Sequence, residues 1–139
     1  MDVSDGLRGK LIEVEKIIKG RPLGERIEIA VDEMADYLFE HPEISNLTLF
    51  RYFTKTRHGS ILDFKVPEYI NDIAYSMGLS DDRKNVPADA TMKVLSIMNA
   101  IHNFVSGENF FRPMMKMERD EYIKEAKETL KFFNLTAFT

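Results

Sequence analysis

Between Leu23 and Glu40 the apolar residues Ile27, Ala30, Val31, Met34 and Leu38 recur at intervals of three and four. Glu25, Arg26, Glu28, Asp32, Glu33, Asp36 and Glu40 fill most of the remaining positions. A helix gathers such a set into one apolar stripe, whereas a strand would scatter it over both faces. No segment of the chain shows sustained alternation of period two, and there is no internal repeat or low-complexity tract. The chain must therefore be assembled from helices that bury stripes against one another.

Glycine and proline divide that pattern into pieces. Leu7–Lys19 is expected as a helix carrying Leu11, Val14 and Ile18, ended by Gly20. His41-Pro42 interrupts the next helix, because proline lacks an N–H and disfavours helical geometry in the residue before it. Pro42 can then open a helix to about Thr56 with Ile44, Leu47, Leu49, Phe50 and Phe53. Arg57–Ser60 reads as a turn. A further helix is expected from about Pro67 to Gly78, with Val66, Tyr69, Ile70, Ile73 and Met77 on one side, and then a polar loop to Val86. Pro87–Val105 and Glu118–Asn134 complete the set, separated by an interhelix segment, Ser106–Met117. The fold class is all-α, an antiparallel bundle of about six helices in a single domain spanning 1–139.

The helix at 87–105 stands apart. Met92, Val94, Leu95, Ile97, Met98, Ala100, Ile101, Phe104 and Val105 cover half its circumference or more, wider than the stripe of a surface helix. It needs cover on two sides. One can be its own core, and a second subunit is expected on the other.

Asn71–Ser80, NDIAYSMGLS, has the look of a helix-turn-helix centre. The residues beyond Leu79 do not sustain it: Pro87 would fall inside the recognition helix, Asp81 and Asp82 would face phosphates, and Val86 is the one apolar residue before Ala88. The chain's formal net charge of −4 counts in the same direction, since phosphate contacts supply much of the affinity for DNA. The absence of cysteine excludes disulfides, thiolate catalysis and cysteine zinc sites. No apolar run approaches the ~20 residues that span a bilayer. The polar start, MDVSDGLRGK, is no signal peptide, so a cytoplasmic location without membrane association is expected.

The block Tyr37-Leu-Phe-Glu-His-Pro-Glu-Ile-Ser-Asn-Leu-Thr-Leu-Phe-Arg51 resembles the C-terminal domains of TetR-family transcriptional regulators. The aromatic-rich helix ending in His41-Pro42-Glu43, the apolar helix leading to Arg51, and the order of helices from Leu7 to the end are all similar. The family's N-terminal DNA-binding module has no counterpart near residue 1, so the chain is read as the regulatory part of a longer regulator. The resemblance implies an effector-sensing, homodimerising domain that contacts DNA only through that missing module. Segment 7–20 would be the connector helix, and 87–105 with 118–134 the dimerisation helices, paired across a two-fold axis. Met92, Leu95, Tyr122, Ala126, Thr129, Leu130 and Phe133 are the expected interface residues.

Bundles form ligand pockets between facing helices. Tyr37, Phe50, Phe53, Tyr69, Ile73, Met77, Met98, His102 and Phe104 are the candidate lining for a small apolar or amphipathic effector. No cofactor or metal is expected. His41, His58 and His102 lack a glutamate three residues before them and a histidine at helical spacing. No phosphate loop, nucleophile elbow or cysteine argues for an enzyme. Two other readings remain: a stand-alone helical interaction protein with a filled core, and a small all-α enzyme.

Overall fold

The stripe on α2 (Leu23–Glu40) forms one side of the core, with Ile27, Val31, Met34, Ala35, Leu38 and Phe39 buried. A computed structural model describes residues 3–53 and 61–138, and side chains for 6–53 and 68–135. Around α2 stand α1 (Val3–Ile18), α3 (Pro42–Phe53), α4 (Ile61–Ser76), α5 (Ala88–Ser106), α6 (Glu108–Met115) and α7 (Arg119–Phe138). No strand occurs among the described residues, so the all-α expectation holds. The expected turn at 57–60, with His58, lies outside the described residues.

Helix ends obey the punctuation. His41 N–H donates back to Tyr37 and Leu38 carbonyls, and Ile44 N–H to the His41 carbonyl, so α3 starts at once beyond the Pro42 break. Gly78 takes φ +78, a left-handed conformation that glycine adopts without a Cβ penalty. Its N–H donates to the Tyr75 carbonyl and Leu79 N–H to the Ala74 carbonyl, which closes α4 with a Schellman motif. No helix intervenes before Ala88. Instead Asp82 accepts from the Lys84 N–H, and Ser80 Oγ donates to the Asp82 carbonyl, in a polar loop. A recognition helix after Gly78 is thereby ruled out.

Three boundaries differ from expectation. α4 begins upstream of Pro67, at Ile61. A proline early in a helix removes one backbone bond, while the run Ile61-Leu-Asp-Phe-Lys-Val66 continues the apolar pattern. The segment 106–117 contains α6, too short to show a stripe; Glu108, at its first position, binds Arg112 one turn on and Arg119 of α7. α7 continues past Asn134 to Phe138.

α5 is the central helix. It packs against α2, α3, α4, α6 and α7 of its own chain, which accounts for its wide apolar circumference without a second subunit. Its remaining flank, with Asp89, Met92, Lys93, Ser96 and Asn103, is turned outward, and Met92 is 66% exposed. α7 lies antiparallel to α2. The ring of Tyr122 meets Phe39 edge-on, and Lys127 and Lys131 pair with Asp36 and Asp32. The Tyr122 hydroxyl donates to the Phe104 carbonyl at 2.7 Å, and burial, then nearby Glu108, pushes its pKa up to about 12.

Candidate functional site

A cavity of about 320 Å³ lies among α1, α2, α4 and α5. Its walls are apolar: Leu11, Val14 and Ile18 from α1, Ala30 and Met34 from α2, Ile73 and Met77 from the end of α4, and Val94, Ile97, Met98 and Ile101 from α5. The same helical stripes that make the core make these walls, because the four helices do not close completely over one another. The volume falls within the range of small-molecule sites, near its lower end.

Polar groups are confined to a few positions. Tyr69, Asp72 and Ser76 come from α4, Arg8 and Glu15 from α1, and Arg83 from the loop after α4. Arg83 bridges two helices: its Nη1 donates to Asp72 Oδ1 at 2.7 Å and its Nη2 to Glu15 Oε1. The guanidinium also lies 4.3 Å from the centre of the Tyr75 ring, within cation–π range. This clamp ties α1 to α4 across the side of the cavity. Elsewhere on α1, Lys10 pairs with Glu33 of α2 at 2.7 Å.

Of the predicted lining, Tyr69, Ile73, Met77 and Met98 surround the cavity. His102 does not. It lines a smaller space of about 30 Å³ with Thr48, Tyr52, Leu95 and Met98, and its Nδ1 lies 2.7 Å from Ser45 Oγ. Burial lowers its pKa to about 4, so it is neutral at ordinary pH. Tyr37 stacks obliquely on His41, and Phe104 meets Tyr122 edge-on; neither reaches the cavity. Phe50 and Phe53 point outward, 58% and 82% exposed. The inward face of α3 is taken by Ile44, Ser45 and Thr48 instead. The two hydroxyls can enter because each is satisfied, Ser45 by His102 and Thr48 by the Ile44 carbonyl.

The expected interface residues divide as well. Tyr122, Ala126 and Leu130 are buried in the chain's own core, so they cannot meet a second copy. Leu95 is half-buried beside the smaller space. Met92, Thr129 and Phe133 are exposed. No family model, curated protein or solved structure matches the chain. What the site does has to be argued from its own geometry. Among the described residues, no group of three His, Asp or Glu side chains could hold a metal ion, and no helix is long and apolar enough to cross a membrane.

Sequence reasoning missed α1 as a wall of the site. Leu11, Val14 and Ile18 were legible as a stripe, but not which helices would share it. Arg83 gave no signal, because a cation in a polar loop is ordinarily solvated.

Proposed function

We propose that this chain is the effector-sensing part of a regulator built like the C-terminal domains of the TetR family. The observation that carries the reading is the apolar cavity walled by four helices, with α1 as one wall. α1 precedes all the other helices and packs on α2 and α4. A ligand that fills the cavity touches α1 directly and favours one placement of it over another. Any module attached ahead of α1 would feel that preference, with a coupling typically of ~1–3 kcal/mol.

A homodimer is part of this reading. Exposed Met92 on α5 and Phe133 on α7, 66% and 64% accessible, offer apolar surface for a second copy. The girth of α5 lends the dimer no support, since its own chain covers that helix on several sides.

The test is thermal unfolding against a panel of amphipathic and aromatic compounds, with light scattering alongside. A ligand at 100 times its Kd stabilises by about 2.7 kcal/mol, which for a domain of this size raises the Tm by roughly 9 °C. If no compound moves the Tm, the sensor reading fails. A monomer at micromolar concentration removes the dimer part alone.

A second reading has its own support. Phe50, Phe53 and Phe110 are all more than half exposed, which favours contact with another protein through α3 and α6. Replacing Phe53 and Phe110 by serine abolishes such a contact and leaves small-molecule binding unchanged.

A further inference from the structure

Among the charged groups around the cavity, Glu15 and Asp72 share the guanidinium of Arg83, and Arg8 stands apart from them. Glu15 and Asp72 each accept an N–H from Arg83 through one carboxylate oxygen. Arg8 lines the same cavity and pairs with no carboxylate among the described residues. It stands two turns before Glu15 on α1, about 10 Å along the helix axis. Among the described residues the cavity is therefore polarised, with Arg83 between its two carboxylates toward one end of the α1 wall and the unpaired Arg8 guanidinium toward the other. Between them lie Leu11, Ile12 and the apolar floor.

We propose that the cavity takes an amphipathic anion, its carboxylate or equivalent head on Arg8 and its tail among Leu11, Met34, Ile73 and Ile97. This rests on the reading of the cavity as a ligand site. The cavity, about 320 Å³, is near the lower end of the range for small-molecule sites. A short saturated chain fits the wall chemistry, since Leu11, Met34, Ile73 and Ile97 present apolar surface. A cationic head finds Arg8 repulsive and meets carboxylates that already share Arg83. A neutral head binds through the tail alone. An anionic head adds a charge-assisted contact, for which the planar fork of arginine offers two parallel N–H donors.

The experiment measures binding of decanoate, 1-decanol and decylamine to the intact chain at neutral pH, by calorimetry and thermal shift. Decanoate is expected to bind more tightly than decanol by about fivefold, as befits one solvent-facing ion pair. Added salt should erode that advantage and leave decanol unmoved. Arg8→Gln should bring decanoate to the affinity of decanol, and Arg8→Lys should restore part of the difference. Arg8 is exposed, so both variants keep the fold. If decanol and decanoate bind equally, or if Arg8→Gln leaves the difference intact, the head-group assignment is overturned while the cavity stands. Preference for decylamine overturns it in favour of the carboxylates. Should none of the three bind, the assignment falls together with the ligand site on which it rests.

Discussion

The hydroxyl of Ser45 and Nδ1 of His102 lie 2.7 Å apart, both buried, and this contact joins α3 to α5 inside the molecule. A neutral imidazole has one nitrogen that donates and one that accepts, so each side chain satisfies the other. Ser45→Ala removes one partner and leaves the imidazole nitrogen buried and unpaired. The expected cost is about 1–3 kcal/mol, the desolvation penalty of an orphaned group. Urea denaturation reads it as a lower midpoint at unchanged slope. An unchanged midpoint would mean that the contact contributes nothing.

His102 also sets a pH dependence. Burial holds its pKa down to about 4, against 6.5 for an exposed histidine. The unfolded chain therefore takes up a proton between those values that the folded chain refuses. Stability is unaffected above pH 6.5 and declines as pH falls through the window to about 4, by about 3 kcal/mol in total if this group acts alone. Chemical denaturation at a series of pH values should show the decline in the wild type. In His102→Gln it should be largely gone. A decline of equal size in the variant would assign it to the carboxylates.

The fold was largely legible because helical period survives in each long segment. The stripe on α2, the His41-Pro42 break and the Gly78 stop all express local rules, and local rules can be read from one segment at a time. Two things could not be read that way. The girth of α5 indicated that the helix needed two covers, but girth cannot distinguish a neighbour in the same chain from one in a second copy. The aromatic residues Phe50 and Phe53 looked like core by type, yet the smaller Ser45 and Thr48 face inward on α3 because each has a polar partner waiting. Cavity residues were legible where they lay on α4 and α5 stripes. Arg8, Glu15 and Arg83 came together only through tertiary packing.

Two glycines should respond oppositely to alanine. Gly78 holds φ +78, where a Cβ is strained, and that Cβ would lie 3.3 Å from Arg26 Nη1. Gly78→Ala should destabilise by about 1–2 kcal/mol. Gly9 lies within α1, and a Cβ there meets nothing within 4 Å. Gly9→Ala should stabilise by roughly 0.5–1 kcal/mol, through lower entropy of the unfolded chain and better helix propensity. Melting curves of the two variants should move in opposite directions from wild type.

Arg83→Ala separates the clamp from the fold. The variant loses ion pairs to Glu15 and Asp72 and the contact with the Tyr75 ring. These groups are partly solvent-exposed, so the stability change should stay within about 1 kcal/mol. Faster amide hydrogen exchange in α1 is the expected consequence, because one of its ties to α4 is gone. Unchanged exchange in α1 would show that apolar packing alone fixes that helix.

Ala30→Phe tests whether the cavity is the site. Ala30 contributes the smallest side chain of the α2 wall, and the added ring would enter a space of about 320 Å³. Overpacking normally costs about 1–3 kcal/mol because a dense core has no room. Here room exists, so the Tm should hold or rise as the ring gains contacts that the empty space denies its walls. Binding of any ligand seated in the cavity should be lost at the same time. Retained fold with lost binding places the ligand between α1, α2, α4 and α5. If binding survives in this variant and instead disappears on replacing exposed Phe53 and Phe110 by serine, the ligand occupies the outer surface, and the cavity is a packing defect rather than a sensor.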